Sequence, residues 1–106
     1  MKLGFLHSSI SDLHLVMGSS LTVSPANQMP KDTIKKGGKL VIINLQKTPL
    51  NNIASLVIHA KVDDVIDLLM SKLGLKIPEW KITRRLLVNL EGDTLTLKAI
   101  DIYLYK

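Results

Sequence analysis

The stretch LHLVMGSS, residues 13–20, passes directly from an apolar run into a glycine and two serines. Short, continuous apolar runs that stop at turn residues are typical of strands in a parallel sheet, where helices cover both faces. Two further runs have the same character, Leu40–Ile43 and Ser55–Ile58. The sequence therefore predicts three parallel strands buried between helices.

A crossover helix is predicted between the first two strands, over Met29–Lys36. Pro30 limits how early this helix begins, and the glycine pair at 37–38 ends it. Ser24 or Asp32 can supply the capping oxygen.

A second helix is predicted over Val62–Leu73, with a broad apolar stripe that we expect to be buried. Asp63 and Asp64 fall in its first turn, at the positive end of the helix dipole, and Gly74 follows its last turn. The two aspartates can also be viewed as paired catalytic carboxylates, but helix capping explains them more simply. The order strand, crossover, strand, strand, helix predicts an α/β fold, a partial Rossmann-like parallel sheet.

The pattern changes to strict alternation after Lys81, which predicts a C-terminal β-hairpin with its turn at Glu91–Asp93. Pro78 and Trp80 close the first unit, and we expect Trp80 to cover the helix end. We therefore divide the chain into a domain at 1–80 and an extension at 81–106. Because an isolated hairpin is marginal in water, the extension must pack against another surface.

Composition excludes several classes of site. The chain has no cysteine, so disulfides, thiolate zinc sites and cysteine nucleophiles are impossible. No run approaches the length of a membrane span, and Met1–Gly18 lacks the features of a signal peptide, so we expect an intracellular protein. The net charge of +5 comes from scattered lysines without interleaved aromatics, which makes direct nucleic-acid binding a weak hypothesis.

Polar residues at the ends of the three predicted strands indicate a ligand site, because ligands of open α/β sheets bind at the carboxyl ends of strands. Gly18 allows close backbone approach, Ser19 and Ser20 offer hydroxyls, and Asn44 and Gln46 offer amides. Such residues are also ordinary in loops. The chain has neither a GxGxxG motif nor a Walker A motif, so pyrophosphate binding is not encoded in it.

Four segments in order resemble the sirtuins, the NAD-dependent protein deacylases. They are DLHLVMGSSLTVSP at 12–25, KLVIINLQKTP at 39–49, IHAKVDDV at 58–65 and LGLKIPEW at 73–80. The pattern is most similar to the nuclear, chromatin-acting branch that includes the sixth and seventh human sirtuins, and it corresponds to the C-terminal half of the family's NAD-binding domain.

This resemblance implies roles for particular residues. Gly18, Ser19 and Ser20 would contact the nicotinamide-side and adenosine ribose region of NAD. Around the adenosine ribose and adenine the resemblance places Asn44, Leu45 and Gln46, while Lys61 and Val62 would present backbone to the adenine. Residues Leu21, Thr22 and Val23 would lie beside an acyl-lysine peptide, such as a histone segment, paired as an added strand. The implied reaction cleaves the nicotinamide–ribose bond, the sugar capturing the acyl oxygen, and the implied location is the nucleus.

Departures from the family pattern limit what this chain can do by itself. The glycine-rich pyrophosphate loop, the nicotinamide-binding segments, the catalytic histidine and all four zinc cysteines of the family have no counterpart in it. His7, His14 and His59 do not stand in the family's catalytic context, and a structural role explains His14 and His59 better. We predict a catalytically silent fragment with part of an NAD site; the alternative is an interaction module that associates with itself or another protein through the exposed face of the half-domain.

Overall fold

A computed structural model describes the backbone of residues 1–91 and 94–104 and the side chains of residues 1–81. Two compact units divide the chain, Met1–Leu75 and Lys76–Lys106. The helices and strands of the first unit are α1 (Lys2–Ile10), β1 (Leu13–Met17), α2 (Met29–Lys35), β2 (Lys39–Ile43), β3 (Leu56–Ile58) and α3 (Val62–Leu73). In the second unit they are β4 (Ile82–Glu91) and β5 (Thr94–Leu104).

The first unit contains a three-stranded parallel sheet in the order β1-β2-β3. The predicted α/β fold class is therefore confirmed. β1 and α3 have the predicted bounds, whereas β2 begins one residue earlier and β3 one residue later than predicted. Each strand is a short, mostly apolar run of three to five residues.

The core lies against one face of this sheet. Leu40 and Ile42 of β2 are fully buried, and Val16 of β1 packs in the same cluster with Leu21 and Leu50. β2 is protected because it is the central strand and has a neighbour on each side.

The prediction that all three strands are buried on both faces is wrong. In β1, Leu13 is 54% exposed and Met17 is 48% exposed; in β3, Leu56 is 51% exposed. The apolar stripe of α3 is also not buried, since none of its residues falls in the buried class. Within residues 1–75, the main core cluster lies on one face of the sheet. On the other face Ile43 of the central strand is buried, whereas the outer strands leave apolar side chains exposed.

The helix α2 begins differently from the prediction. A short 3₁₀ turn at Ala26–Gln28 leads into it, and no side chain caps its first turn, so neither Ser24 nor Asp32 is the cap. Asp32 instead lies 3.9 Å from the Lys35 ammonium. Pro30 occupies the first turn of the helix, where its missing N–H costs no hydrogen bond.

The helix α1 was not predicted. Its apolar residues Leu3, Leu6 and Ile10 are 65%, 55% and 71% exposed, so its pattern does not mark a buried face. It packs closely on α2 at Gly4, where a Cβ atom would come within 2.9 Å of the Met29 side chain.

Backbone signals at the other boundaries agree with the prediction. Gly74 ends α3 in the left-handed conformation, with φ of 67°, and Asp63 and Asp64 stand in the first turn of this helix. Gly38 precedes β2 where a Cβ would lie 2.6 Å from both the Ser11 carbonyl oxygen and Thr33 Cγ2, which requires glycine there.

In the second unit, β4 and β5 pair antiparallel, as the predicted hairpin requires. Its predicted turn includes residues 92 and 93, which lie outside the described residues. Trp80 belongs to this second unit, and its expected role as a cover for the end of α3 stays a prediction. None of the helices formed by the described residues combines the length and apolar character needed to cross a bilayer.

Candidate functional site

The carboxyl ends of the three parallel strands meet around one open cleft of about 560 Å³. This is the position where open α/β sheets bind ligands, and the volume is within the range of small-molecule sites. The cleft is lined by Gly18, Ser20, Asn44, Leu45, Gln46, Ala60, Lys61, Val62 and Asp63.

Most of the cofactor-binding residues proposed from the sequence line this cleft together. Ser19 is the exception, since it lines a second cavity instead. Ala60 and Asp63 were missed, although both adjoin the predicted pair at 61–62 and the start of α3 could have indicated them.

Backbone hydrogen bonds hold the strand ends side by side. The Gly18 N–H donates to the Ile43 carbonyl over 2.9 Å, and the Asn44 N–H donates to the Ile58 carbonyl over 3.1 Å. Both bonds continue the sheet ladder one residue beyond its strands. Gly18 has a φ of 63°, a conformation that glycine adopts without the penalty of a Cβ, and this turns the chain away at the cleft.

Asn44 fixes the shape of the second strand end. Its side-chain amide donates to the Gln46 carbonyl over 2.9 Å. The backbone carbonyl of Asn44 accepts a hydrogen bond from His59 Nδ1, also over 2.9 Å. Because a carbonyl only accepts, the His59 proton is on Nδ1 in this arrangement. Two strand ends are thereby tied to each other at the rim of the cleft.

The cleft contains both positive and negative charge. The start of α3 has no side-chain cap, so its first N–H groups carry the positive end of the helix dipole near Lys61. Asp63 and Asp64 place two carboxylates in the same turn and offset that dipole. Lys61 and Asp63 thus bring one charge of each sign to the cleft, with no excess positive charge that would select an anionic ligand group.

The second cavity has a volume of about 250 Å³ and lies beside β1 and the start of α2. Leu21 and Val23, two of the three predicted peptide-contacting residues, line it, whereas Thr22 does not. The Thr22 hydroxyl instead lies 2.8 Å from the Ser20 hydroxyl. Ser20 lines both cavities and so stands on the wall between them.

Comparison with known proteins agrees with this geometry. No family model matches the chain. It is 46% identical over 74 residues to the NAD-dependent protein deacetylase SRT1 of Arabidopsis thaliana, and 38% identical over 80 residues to the NAD-dependent protein deacetylase Sirt6 of Drosophila melanogaster. A solved structure of Sir2Tm bound to a propionylated peptide is similar with a TM-score of 0.68 and 39% identity over 71% of this chain. The α/β unit of this chain is a sirtuin segment.

The sirtuin segment is a small part of the proteins it matches. The chain spans 16% of the Arabidopsis relative, 25% of the Drosophila relative and 32% of the Sir2Tm chain. A second similar structure, a Sir2 complex with a p53 peptide and NAD+, has a TM-score of 0.67 at 40% identity and is spanned to 30%.

The histidines of this sirtuin segment do not line the larger cleft, although His59 lies at its rim. None of His7, His14 and His59, the chain's three histidines, lines it. His14 is half-buried, and burial lowers its pKa below the ordinary value of 6.5. Its Nδ1 lies 3.0 Å from Thr33 Oγ1, which itself donates to the Ser8 carbonyl over 2.8 Å. Since the Thr33 proton is used, His14 Nδ1 is the donor, which makes His14 part of a structural network.

The residues present do not fit a sirtuin zinc site. The chain has no cysteine, and residues 1–81 bring no three histidine, aspartate or glutamate side chains together at metal-binding distance.

Proposed function

We propose that the sirtuin segment supplies the adenosine and ribose side of an NAD site. The observation that carries this proposal is the meeting of three strand ends around one cleft. Gly18 and Ser20 would contact ribose, and Ser19 would contribute from the adjoining wall. Asn44, Leu45 and Gln46 would surround the adenosine ribose and adenine, and Lys61 and Val62 would present backbone groups to the adenine.

The chemistry of the cleft supports an adenosine. Hydroxyl and amide groups that both donate and accept match ribose hydroxyls and adenine edges. Leu45 is 66% exposed and offers an apolar surface against which a heterocycle can lie. At the cleft the Asp63 carboxylate offsets the Lys61 ammonium, and the chain has no glycine-rich phosphate loop.

We infer from the same facts that the chain is catalytically silent alone. No histidine stands in the cleft to act as a base, and nothing in the sequence is built to hold a pyrophosphate. NAD bound here would be held at its adenosine end, and no histidine of the cleft would act on the nicotinamide–ribose bond. Deacylation would require the remaining parts of a sirtuin catalytic domain.

The substrate proposed for the assembled enzyme is an acyl-lysine peptide. Two solved relatives carry a propionylated peptide and a p53 peptide. Leu21 and Val23 line the second cavity, and with Thr22 between them they would lie beside such a peptide. A histone substrate and a nuclear location remain proposals from the resemblance to the nuclear branch.

Titration calorimetry with adenosine, AMP and ADP-ribose tests the cofactor proposal. We expect weak binding, with Kd on the order of 0.1–1 mM for adenosine, and little gain from added phosphates. Asn44→Ala removes the amide that shapes the cleft and weakens adenosine binding about tenfold. Asn52→Ala, on an exposed turn outside the cleft, is the matched control and leaves the affinity unchanged.

Two results would contradict the proposal. ADP-ribose binding far more tightly than adenosine would show a phosphate site, and NAD consumption with an acyl-lysine peptide would show that the chain is not silent.

The exposed sheet face favours a second candidate function, self-association as an interaction module. Leu15 and Leu56 are 36% and 51% exposed, and both flank Val41 in the sheet register. Contiguous exposed apolar residues mark interaction surfaces. Sedimentation of the protein across a range of concentrations would show a dimer that the double variant Leu15→Thr/Leu56→Thr abolishes. Leu3→Thr, on the exposed side of α1, is the control; a wild-type protein that stays monomeric excludes this function.

A further inference from the structure

Leu21 adopts a backbone conformation that leucine rarely takes. Its φ is 56°, and among the described residues it is the only non-glycine with a positive φ. The left-handed conformation brings a Cβ too close to the following carbonyl oxygen. Such residues persist only where the surroundings hold them, and they occur preferentially at functional sites.

Burial of the Leu21 side chain is what holds this conformation. The side chain is 8% exposed and belongs to the core cluster with Val16 and Leu40. Its neighbours Ser20 and Thr22 are both exposed, so one buried leucine fastens an otherwise external segment to the core. The Leu21 N–H also donates to Ser19 Oγ over 3.3 Å, which tightens the turn locally.

The direction of this turn decides where the serines lie. Ser19 and Ser20 stand between two fixed points, Gly18, bonded to Ile43, and Leu21, anchored in the core. With both ends fixed, Ser20 lies on the wall between the two cavities and its hydroxyl is 2.8 Å from that of Thr22.

We propose that Leu21 is a positioning residue for the ligand site. Its buried side chain holds residues 18–22 in the left-handed turn that keeps Ser20 at the larger cleft and Ser19 at the smaller cavity. Leu21 acts through these serines and not by contact with the nucleotide. The inference rests on the proposed function for its effect on affinity, but its effect on the conformation of the turn is independent of any ligand.

Three substitutions distinguish the anchoring effect of the buried Leu21 side chain from the conformational preference of the backbone at residue 21. Leu21→Ala removes the anchor and keeps the Cβ that disfavours this φ. Leu21→Gly also removes the anchor but permits the conformation. Leu21→Met keeps an apolar side chain of similar volume and is the conservative rescue. Leu50→Ala is the matched control, because Leu50 is 5% exposed in the same cluster but lies outside the turn.

Adenosine affinity, thermal stability and backbone amide NMR spectra are measured for the wild type and these four variants. We expect Leu21→Ala and Leu50→Ala to lower Tm to a similar degree. Leu21→Ala and Leu21→Gly weaken adenosine binding about tenfold, because Ser20 is no longer held at the cleft, whereas Leu50→Ala and Leu21→Met stay within about twofold.

Amide spectra of the unliganded protein decide the inference separately. Leu21→Ala shifts the signals of Ser19, Ser20 and Thr22 and speeds their hydrogen exchange, while Leu50→Ala leaves them in place. A wild type that fails to bind adenosine overturns the proposed function alone, and the amide spectra still decide the role of Leu21. Unaltered Ser20 and Thr22 signals in Leu21→Ala, or equal effects of Leu50→Ala on them, overturn the positioning role.

Discussion

Two neighbouring rows of side chains cross the same three strands and have opposite surroundings. The row Val16–Ile42–Val57 is buried at its first two positions, with 7% and 0% exposure. The next row, Leu15–Val41–Leu56, is equally apolar, but its outer members are 36% and 51% exposed. The difference shows that apolar character alone does not decide burial. The Val16–Ile42 row packs in the core cluster, with Ile34 of α2 against it, whereas on the other face the central Ile43 is buried and the outer positions are exposed.

The largest expected contrast comes from truncating one residue in each row. Ile42→Ala leaves a cavity in the fully buried core and should lower the free energy of unfolding by ~2–5 kcal/mol. Leu15→Ala removes a partly exposed side chain and should cost about 1 kcal/mol or less. Urea denaturation measures both. Equal losses of unfolding free energy in the two variants would mean that Ile42 and Leu15 are equally well packed, contrary to their different exposure.

A smaller loss of stability is expected at Gly38, which lies tightly against Ser11 and against Thr33 of α2. Gly38→Ala places a methyl group 2.6 Å from the Ser11 carbonyl oxygen and Thr33 Cγ2, and should destabilise by ~1–3 kcal/mol. Gly37→Asn is the control, since no atom lies within 4 Å of its Cβ position and asparagine tolerates positive φ. A neutral Gly38→Ala in thermal denaturation would show that α2 does not lie so close to the start of β2.

The smallest expected effect is a pH dependence from His14, on the covered face. Burial lowers its folded-state pKa below 6.5, so the unfolded chain binds a proton first as pH falls. The contribution of neutral His14 is complete above the unfolded pKa of about 6.5 and is lost as pH falls through the folded value. Thr33 Oγ1, its partner, carries no charge that could offset this.

Stability measured between pH 7.5 and 5 should therefore decrease more steeply in the wild type than in His14→Gln. Identical slopes for the wild type and His14→Gln would contradict the burial of His14.

Local signals in the sequence predicted much of the fold. β1 and α3 are each bounded by residues with strong backbone preferences, Gly18 at the end of the strand and Gly74 at the end of the helix. The rule that open α/β sheets bind ligands at the carboxyl ends of their strands then predicted the position of the cleft without any tertiary information.

Other features depend on packing that a single sequence does not display. The exposed row at Leu15 and Leu56 is as apolar as the buried row, so its environment could not be inferred. The helix α1 has its apolar residues on an exposed side, which gives no burial pattern to recognise. The left-handed Leu21 follows from anchoring in the core and not from the preference of leucine for that conformation.

Amide chemical-shift mapping with adenosine tests the central claim most directly, because it locates the ligand on the molecule. The cleft hypothesis predicts saturable shifts at all three strand ends, centred on Gly18, Asn44 and Val62, with little change along α1. Saturable shifts confined to α1 or α2, or no saturable shift at millimolar adenosine, would contradict the assignment of this cleft to a nucleotide.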